Sequence, residues 1–268
     1  MIKQKYGVVY TPKSLSDFVA ELLKRASSDE QIKVILDPAS GECALLSAVK
    51  ATFGDEDEYI GIDVDKEAVH NTKDKFRIIH NDAIMPQNVK KKTADYWRDK
   101  LPVVDAVIAN PPWSSEKIYE RADLTSAGFS LASGQYDSYV LFMELAFNIL
   151  RDGGLMAFII PDSLFDAQNE NLRKFLLEKT QIKVIARLGE KIFEEVNRAA
   201  TVIICKKAFP ESNSETICFR LSTEDRKEYL AGQGTLLMYF DRKKHTVYQR
   251  RFLSNNGYNF DIDTHSNE

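Results

Sequence analysis

Four apolar runs in this 268-residue chain end in groups suited to holding a ligand. Asp37-Pro-Ala-Ser-Gly41 closes the first; a short glycine-containing turn into a helix lets backbone N–H groups and the helix N-terminus meet an anionic group. The second ends at Asp63, a carboxylate 26 residues beyond Asp37, placed to accept two ribose hydroxyls. Asp82, after the third, is an acceptor for an exocyclic amine. Asn110-Pro111-Pro112-Trp113 closes the fourth. Two successive prolines lack the N–H that a ladder or helix needs, so a rigid loop must follow, carrying an amide and an indole. Alone, each acid reads as a turn former, and Asn110 with Trp113 as a strand cap and a core edge. Four in register make a site.

For these groups to converge, the runs must be strands pointing the same way. The apolar stretches 33–37, 59–63, 76–80, 103–109 and 155–160 read as strands, with helices at 41–52, 66–75, 139–150 and 171–178 between or after them. Leu15, Phe18, Val19, Leu22 and Leu23 mark one face of an earlier helix, with Thr11 or Ser14 as its cap. Residues 151–154 read as a turn and 124–136 as a mobile loop. Residues 182–188 and 201–206 read as a closing hairpin. The alternation predicts an α/β, doubly wound, mostly parallel sheet of seven strands ending in that antiparallel hairpin. The domain would span 1–208, with a small mixed appendage at 209–268. Ligands of such sheets bind outside the carboxyl ends of the strands, where strand order reverses.

Composition narrows the class. Hydrophobic residues make up 44%, no apolar run approaches the length of a bilayer, and the N-terminus lacks an apolar signal region, which predicts a cytoplasmic protein. Cys43, Cys205 and Cys218, at unrelated spacings, fit reduced thiols, and the four histidines form no close metal-ligand pair, so no metal is expected. A net charge of −4 argues against a self-sufficient nucleic-acid wrapper. The visible basic patch runs from Arg242 to Arg251 and includes Lys243, Lys244 and Arg250, with Tyr248 interleaved.

Taken in order, these motifs resemble those of the adenine-N6 DNA methyltransferases that use S-adenosylmethionine, in the subgroup of type I modification subunits and fused restriction-modification enzymes. The resemblance covers about residues 6–207. Tyr6-Gly-Val-Val-Tyr10-Thr11-Pro12 matches the family's N-terminal motif, Asp37 to Gly41 its first strand-end motif, Asp63 its second, Asp82 its third and Asn110 to Trp113 its catalytic loop. Asp152 to Pro161 fits the strand-five motif, and Phe193 ahead of Arg198-Ala-Ala-Thr fits the aromatic before the last hairpin.

The resemblance implies that Tyr10, Thr11, Ser40 and Gly41 hold the methionine end of the cofactor, with Asp37 nearby. It implies that Asp63 grips the ribose, Val64 flanks the adenine and Asp82 accepts from its N6. The Asn110 side-chain oxygen and the Pro111 carbonyl would take the two hydrogens of a target adenine amine, whose lone pair is otherwise delocalised, while Pro112 stiffens the loop. Trp113 and Phe193 would stack on the extruded base, with core packing as the alternative for Phe193. The chain departs from the family at Cys43, where a second glycine is usual, so weak cofactor binding is expected. Too few residues follow the hairpin for a target-recognition domain, so specificity would come from a separate subunit or a further segment, with the basic patch touching DNA phosphate or that partner. Pro161-Asp162 is followed by no acid-x-Lys element of a nuclease within the next twenty residues. The alternatives are a methyltransferase acting on a glutamine amide or on RNA adenine, since the same tetrapeptide serves planar amide nitrogens, and a non-catalytic scaffold.

Overall fold

The apolar stripe from Leu15 to Leu23 forms α1 (Lys13–Ala26), all five of its residues at most 3% exposed. Neither Thr11 nor Ser14 caps it: Pro12 takes the N-cap position, and its carbonyl accepts from the amides of Leu15 and Ser16. This computed structural model describes residues 10–27, 31–55, 57–72, 74–87, 90–114, 118–131, 133–193 and 197–263; positions 6–9 of the N-terminal motif lie outside them. The strands that end in chemistry are β1 (Val34–Asp37), β2 (Glu58–Asp63), β3 (Arg77–His80) and β4 (Val104–Ala109). Between and after them run α2 (Ala44–Phe53), α3 (Lys66–Thr72), α4 (Thr93–Lys100), α5 (Arg121–Ser126) and α6 (Tyr139–Ile149). There follow β5 (Leu150–Pro161), α7 (Glu170–Lys179), β6 (Gln181–Gly189) and β7 (Ala200–Lys206).

The sheet has nine strands, not seven, and the hairpin does not end it. Its order is β3-β2-β1-β4-β5-β7-β6-β8-β9, where β8 is Glu215–Arg220 and β9 is His245–Tyr248. β8 pairs in parallel with β6, and β9 runs antiparallel to β8. Residues beyond the polar break at 210–215 thus extend the same sheet, joined by α8 (Thr223–Leu230), α9 (Leu236–Lys243) and α10 (Arg250–Leu253). The turn expected at 151–154 lies inside β5, whose Gly153 takes φ +77°.

Each face of the sheet carries its own core. On one, α1, α2 and α9 bury Leu22, Leu46 and Phe240 against Ile35, Ile108 and Val202. On the other, α4, α6 and α7 bury Trp97, Tyr139 and Leu176 against Leu36, Val107 and Phe158. Strands covered on both faces explain why their sequences read as unbroken apolar runs. Cys43, Cys205 and Cys218 are free and buried. The segment expected as a mobile loop begins inside α5, and the buried Glu144 of α6 accepts from Ser130 N, Ser130 Oγ and Leu131 N at 2.6–3.0 Å. No helix of the described residues is long and apolar enough to cross a membrane.

Candidate active site

Strand order reverses between β1 and β4: one crossover from β1 leads outward to β2 and β3, and the chain then returns to lay β4 on the other side of β1. The loops leaving these strands open beside one another, and the cavity between them has a volume of about 450 Å³, a size typical of small-ligand pockets. Tyr10, Thr11, Asp37, Ser40, Gly41, Asp63, Val64, Asp82, Asn110 and Pro112 all line it; Pro111, Trp113 and Phe193 do not.

The turn after β1 is fastened to the end of β2. Ser40 N donates to the Ile62 carbonyl at 3.1 Å and Gly41 N to Asp63 Oδ2 at 2.7 Å, while Asp65 N reaches Asp63 Oδ1 at 2.8 Å. The Ser40 and Gly41 amides, assigned above to a ligand carboxylate, are therefore already committed. The donors left at this turn are the first-turn N–H groups of α2, which have no intrahelical partner; Ala44 and Leu45 of that turn line the cavity. The Ser40 hydroxyl is buried without a hydrogen-bond partner among the described residues. Cys43 adopts φ +62°, the conformation glycine would take, and buries its thiol in the core beneath α2. It does not line the cavity, so the crowding expected from its side chain is absent. What remains is left-handed strain of roughly 1–2 kcal/mol.

Asp37, Glu42, Asp63, Asp65, Glu67 and Asp82 line the cavity, with no Lys, Arg or His among the described lining residues. Burial, reinforced by Asp63, pushes the Asp37 carboxyl up to about 8 against the pull of the Ala39 amide. Asp63 is also raised, burial outweighing the amides of Asp65 and Gly41. A cavity that confines carboxylates without a cation fits a ligand that brings positive charge. Asp82 Oδ1 accepts from the Ile84 and Met85 amides, and Oδ2 accepts from the Tyr119 hydroxyl at 2.8 Å. Tyr119, Ile118 and Phe142 complete a wall that sequence reasoning missed.

On the opposite wall, Asn110 Nδ2 donates to Thr11 Oγ1 at 3.0 Å, which turns the amide so that its oxygen is the acceptor end. Trp113 and Phe193 form no open slot. Their rings meet edge to face, centroids 5.1 Å apart at 87°, and both are at most 5% exposed. The Trp113 Nε1 donates to the Ile159 carbonyl at 3.4 Å. Apolar burial has drawn both rings into the core below the loop.

The basic patch is largely neutralised by its own neighbours. Lys243 pairs with Asp225, Lys244 with Asp241 and Arg251 with Asp261, at 2.5–2.9 Å. Arg242 has no ion pair among the described residues, and Arg250 lies over the Tyr248 ring at 5.1 Å. Among the described residues no group of His, Cys, Asp and Glu could hold a metal ion.

A family model described as N-6 DNA Methylase matches residues 2–246. The chain is 32% identical over 219 residues to the type II methyltransferase M.BanIII of Aneurinibacillus aneurinilyticus, covering 72% of this chain and 37% of that protein. It is 26% identical over 248 residues to the type I restriction enzyme MjaVII methylase subunit of Methanocaldococcus jannaschii, covering 81% and 39%. It thus spans well under half the length of these two relatives. Among solved structures, a type I restriction-modification methyltransferase subunit from Streptococcus thermophilus superposes with a TM-score of 0.69 at 17% identity, covering 97% of this chain and 61% of that one. A putative class I S-adenosylmethionine-dependent methyltransferase from Listeria monocytogenes gives 0.63 at 24%, covering 86% and 73%. At those identities the likeness establishes the α/β methyltransferase fold.

Proposed function

The chain belongs to the N-6 DNA methylase family, and from that premise we propose that it transfers a methyl group from S-adenosylmethionine to N6 of an adenine turned out of DNA. The observation that carries this reading is the contact between Asn110 and Thr11: the amide of the strand-four loop is tied to a wall of the same cavity that Gly41 and Asp63 line. When bound, S-adenosylmethionine supplies an electrophilic methyl on a sulfonium, so the protein's task is to position and to desolvate. The acid-lined cavity favours that cation. Asp63, each oxygen already taking one amide, retains lone pairs for the ribose hydroxyls, and Val64 and Asp82 serve the adenine. The first turn of α2 takes the carboxylate.

Asn110 Oδ1 and the Pro111 carbonyl accept the two hydrogens of the target amine and direct its lone pair at the methyl. The Pro111 carbonyl accepts no hydrogen bond among the described residues. Trp113 stacks on the base only after parting from Phe193. We assign target selection to another subunit or segment, with Arg242 and Arg250 as the cations of the basic patch that have no acidic partner among the described residues. Incubation of the chain with unmethylated DNA and S-adenosylmethionine, alone and with a co-encoded specificity protein, followed by digestion to nucleosides, should yield N6-methyladenine. Methylated cytosine, methylated RNA or methylated glutamine in its place would redirect the reading to another substrate.

A further inference from the structure

The prolines that stiffen the Asn110–Trp113 loop also remove the N–H groups by which a neighbouring strand would hold it, so its register must be set by other means. Two side chains supply them. Ser138, at the N-cap of α6 and 7% exposed, meets the loop three times: its hydroxyl donates to the Pro112 carbonyl and accepts from Ser114 N at 3.1 Å, and its own N–H donates to the Ser114 carbonyl at 2.8 Å. From the other side, Arg198 Nη1 donates to the Trp113 carbonyl at 2.7 Å, with its guanidinium 5.8 Å from the Trp113 ring centre. The carbonyls of residues 112, 113 and 114 are thus each held, and that of Pro111 is not, among the described residues.

We propose that Ser138 and Arg198 are positioning residues which clamp the three peptides after Pro111, so that the Pro111 carbonyl and the Asn110 amide are fixed as acceptors before substrate arrives. The inference rests on the reading of this loop as catalytic. Ser138 and Pro112 also line the cavity assigned to the cofactor, so a loss of transfer at unchanged cofactor affinity is what separates the clamp from cofactor capture. Ser138 is itself supported from beneath: its neighbour Asp137, 2% exposed, accepts from the Ser163 hydroxyl just after β5. Two parts of the chain far apart in sequence, the start of α6 and the residues before β7, therefore close on one loop.

The test is methyl transfer by the full chain carrying Ser138→Ala, Ser138→Thr, Arg198→Ala or Arg198→Lys, with S-adenosylmethionine affinity measured alongside. Displacement of acceptors by about 1 Å costs on the order of a hundredfold in rate. Ser138→Ala should lower kcat by about that factor, with KM for DNA and cofactor affinity within about threefold of wild type. Ser138→Thr and Arg198→Lys, which keep a donor, should recover most of the loss. Hydrogen exchange at Ser114 N should quicken in Ser138→Ala while that at Gly41 N stays unchanged, a readout that needs no turnover. A kcat within about threefold of wild type, or unchanged exchange at Ser114, would overturn the clamp. So would a loss that follows cofactor affinity and melting temperature without rescue. If Asn110→Ala retains full activity, the loop is not catalytic and the reading beneath the clamp fails first.

Discussion

Asp37 is a carboxylic acid buried at the end of β1, 1% exposed. Its carboxyl is pushed from 3.8 up to about 8 by burial and by Asp63. The folded chain therefore holds a proton that the unfolded chain has given up. The associated stability is full below about pH 4 and is lost as pH rises toward about 8. Asp37→Asn, which keeps an acceptor for the Ala39 amide, should gain in melting temperature over wild type as pH is raised from about 5 to about 8.5. Differential scanning fluorimetry across that range checks this; an advantage that does not grow with pH would mean that Asp37 ionises normally. Cys43 makes a second point at this scale. Its residue type argues for a crowded pocket, yet the backbone takes the glycine conformation and the thiol turns into the core. Whether a side chain at φ +62° faces the ligand or the core depends on what packs beneath α2, which no local pattern records.

At the scale of elements, the site depends on how tightly the turn after β1 sits on β2. A Cβ at Gly61 would lie 2.6 Å from Ser40 Oγ and 2.7 Å from Ile78 Cδ1. Gly61→Ala should therefore cost about 1–3 kcal/mol of stability, and because the conflict is with Ser40, cofactor affinity should fall too. Chemical denaturation together with a binding titration checks both. The strands β1 to β4 were legible in the sequence because each is an apolar run stopped by a residue that cannot or need not continue it. Less was legible where the signal is thin or distant. In α4 only Thr93 and Trp97 are buried, too few to mark a helical period. Tyr119 reaches Asp82 from a loop 37 positions away. The residue type of Trp113 suggests a stacking face, while its packing partners Ile159 and Phe193 arrive from strands and loops much later in the chain.

At the scale of the whole molecule, the part beyond residue 208 belongs to the same sheet, a consequence of pairing partners remote in sequence. β8 shields the edge of β6, and Gln249, 1% exposed, accepts from Ile182 N at 2.8 Å and donates to the Leu177 and Thr180 carbonyls. Arg173 reaches from α7 to the Gly257 carbonyl at 2.7 Å. Gln249→Ala would leave three buried backbone groups unsatisfied, each costing about 1–3 kcal/mol, so urea titration should show a marked loss of stability. A chain cut after residue 208 should fail to unfold cooperatively; a sharp transition in that fragment would show that the appendage is dispensable. The same integration brings Thr11, Asp63 and Asn110 to one cavity, and the account stands on that shared cavity holding the cofactor on one side and the acceptor amide on the other. Calorimetric titration of the full chain with S-adenosylmethionine tests it directly. Binding should be lowered by about 1.5–3 kcal/mol in Asp63→Ala and remain near wild type in Asn110→Ala; no heat with wild type at millimolar ligand, or equal affinity with and without Asp63, would contradict the account.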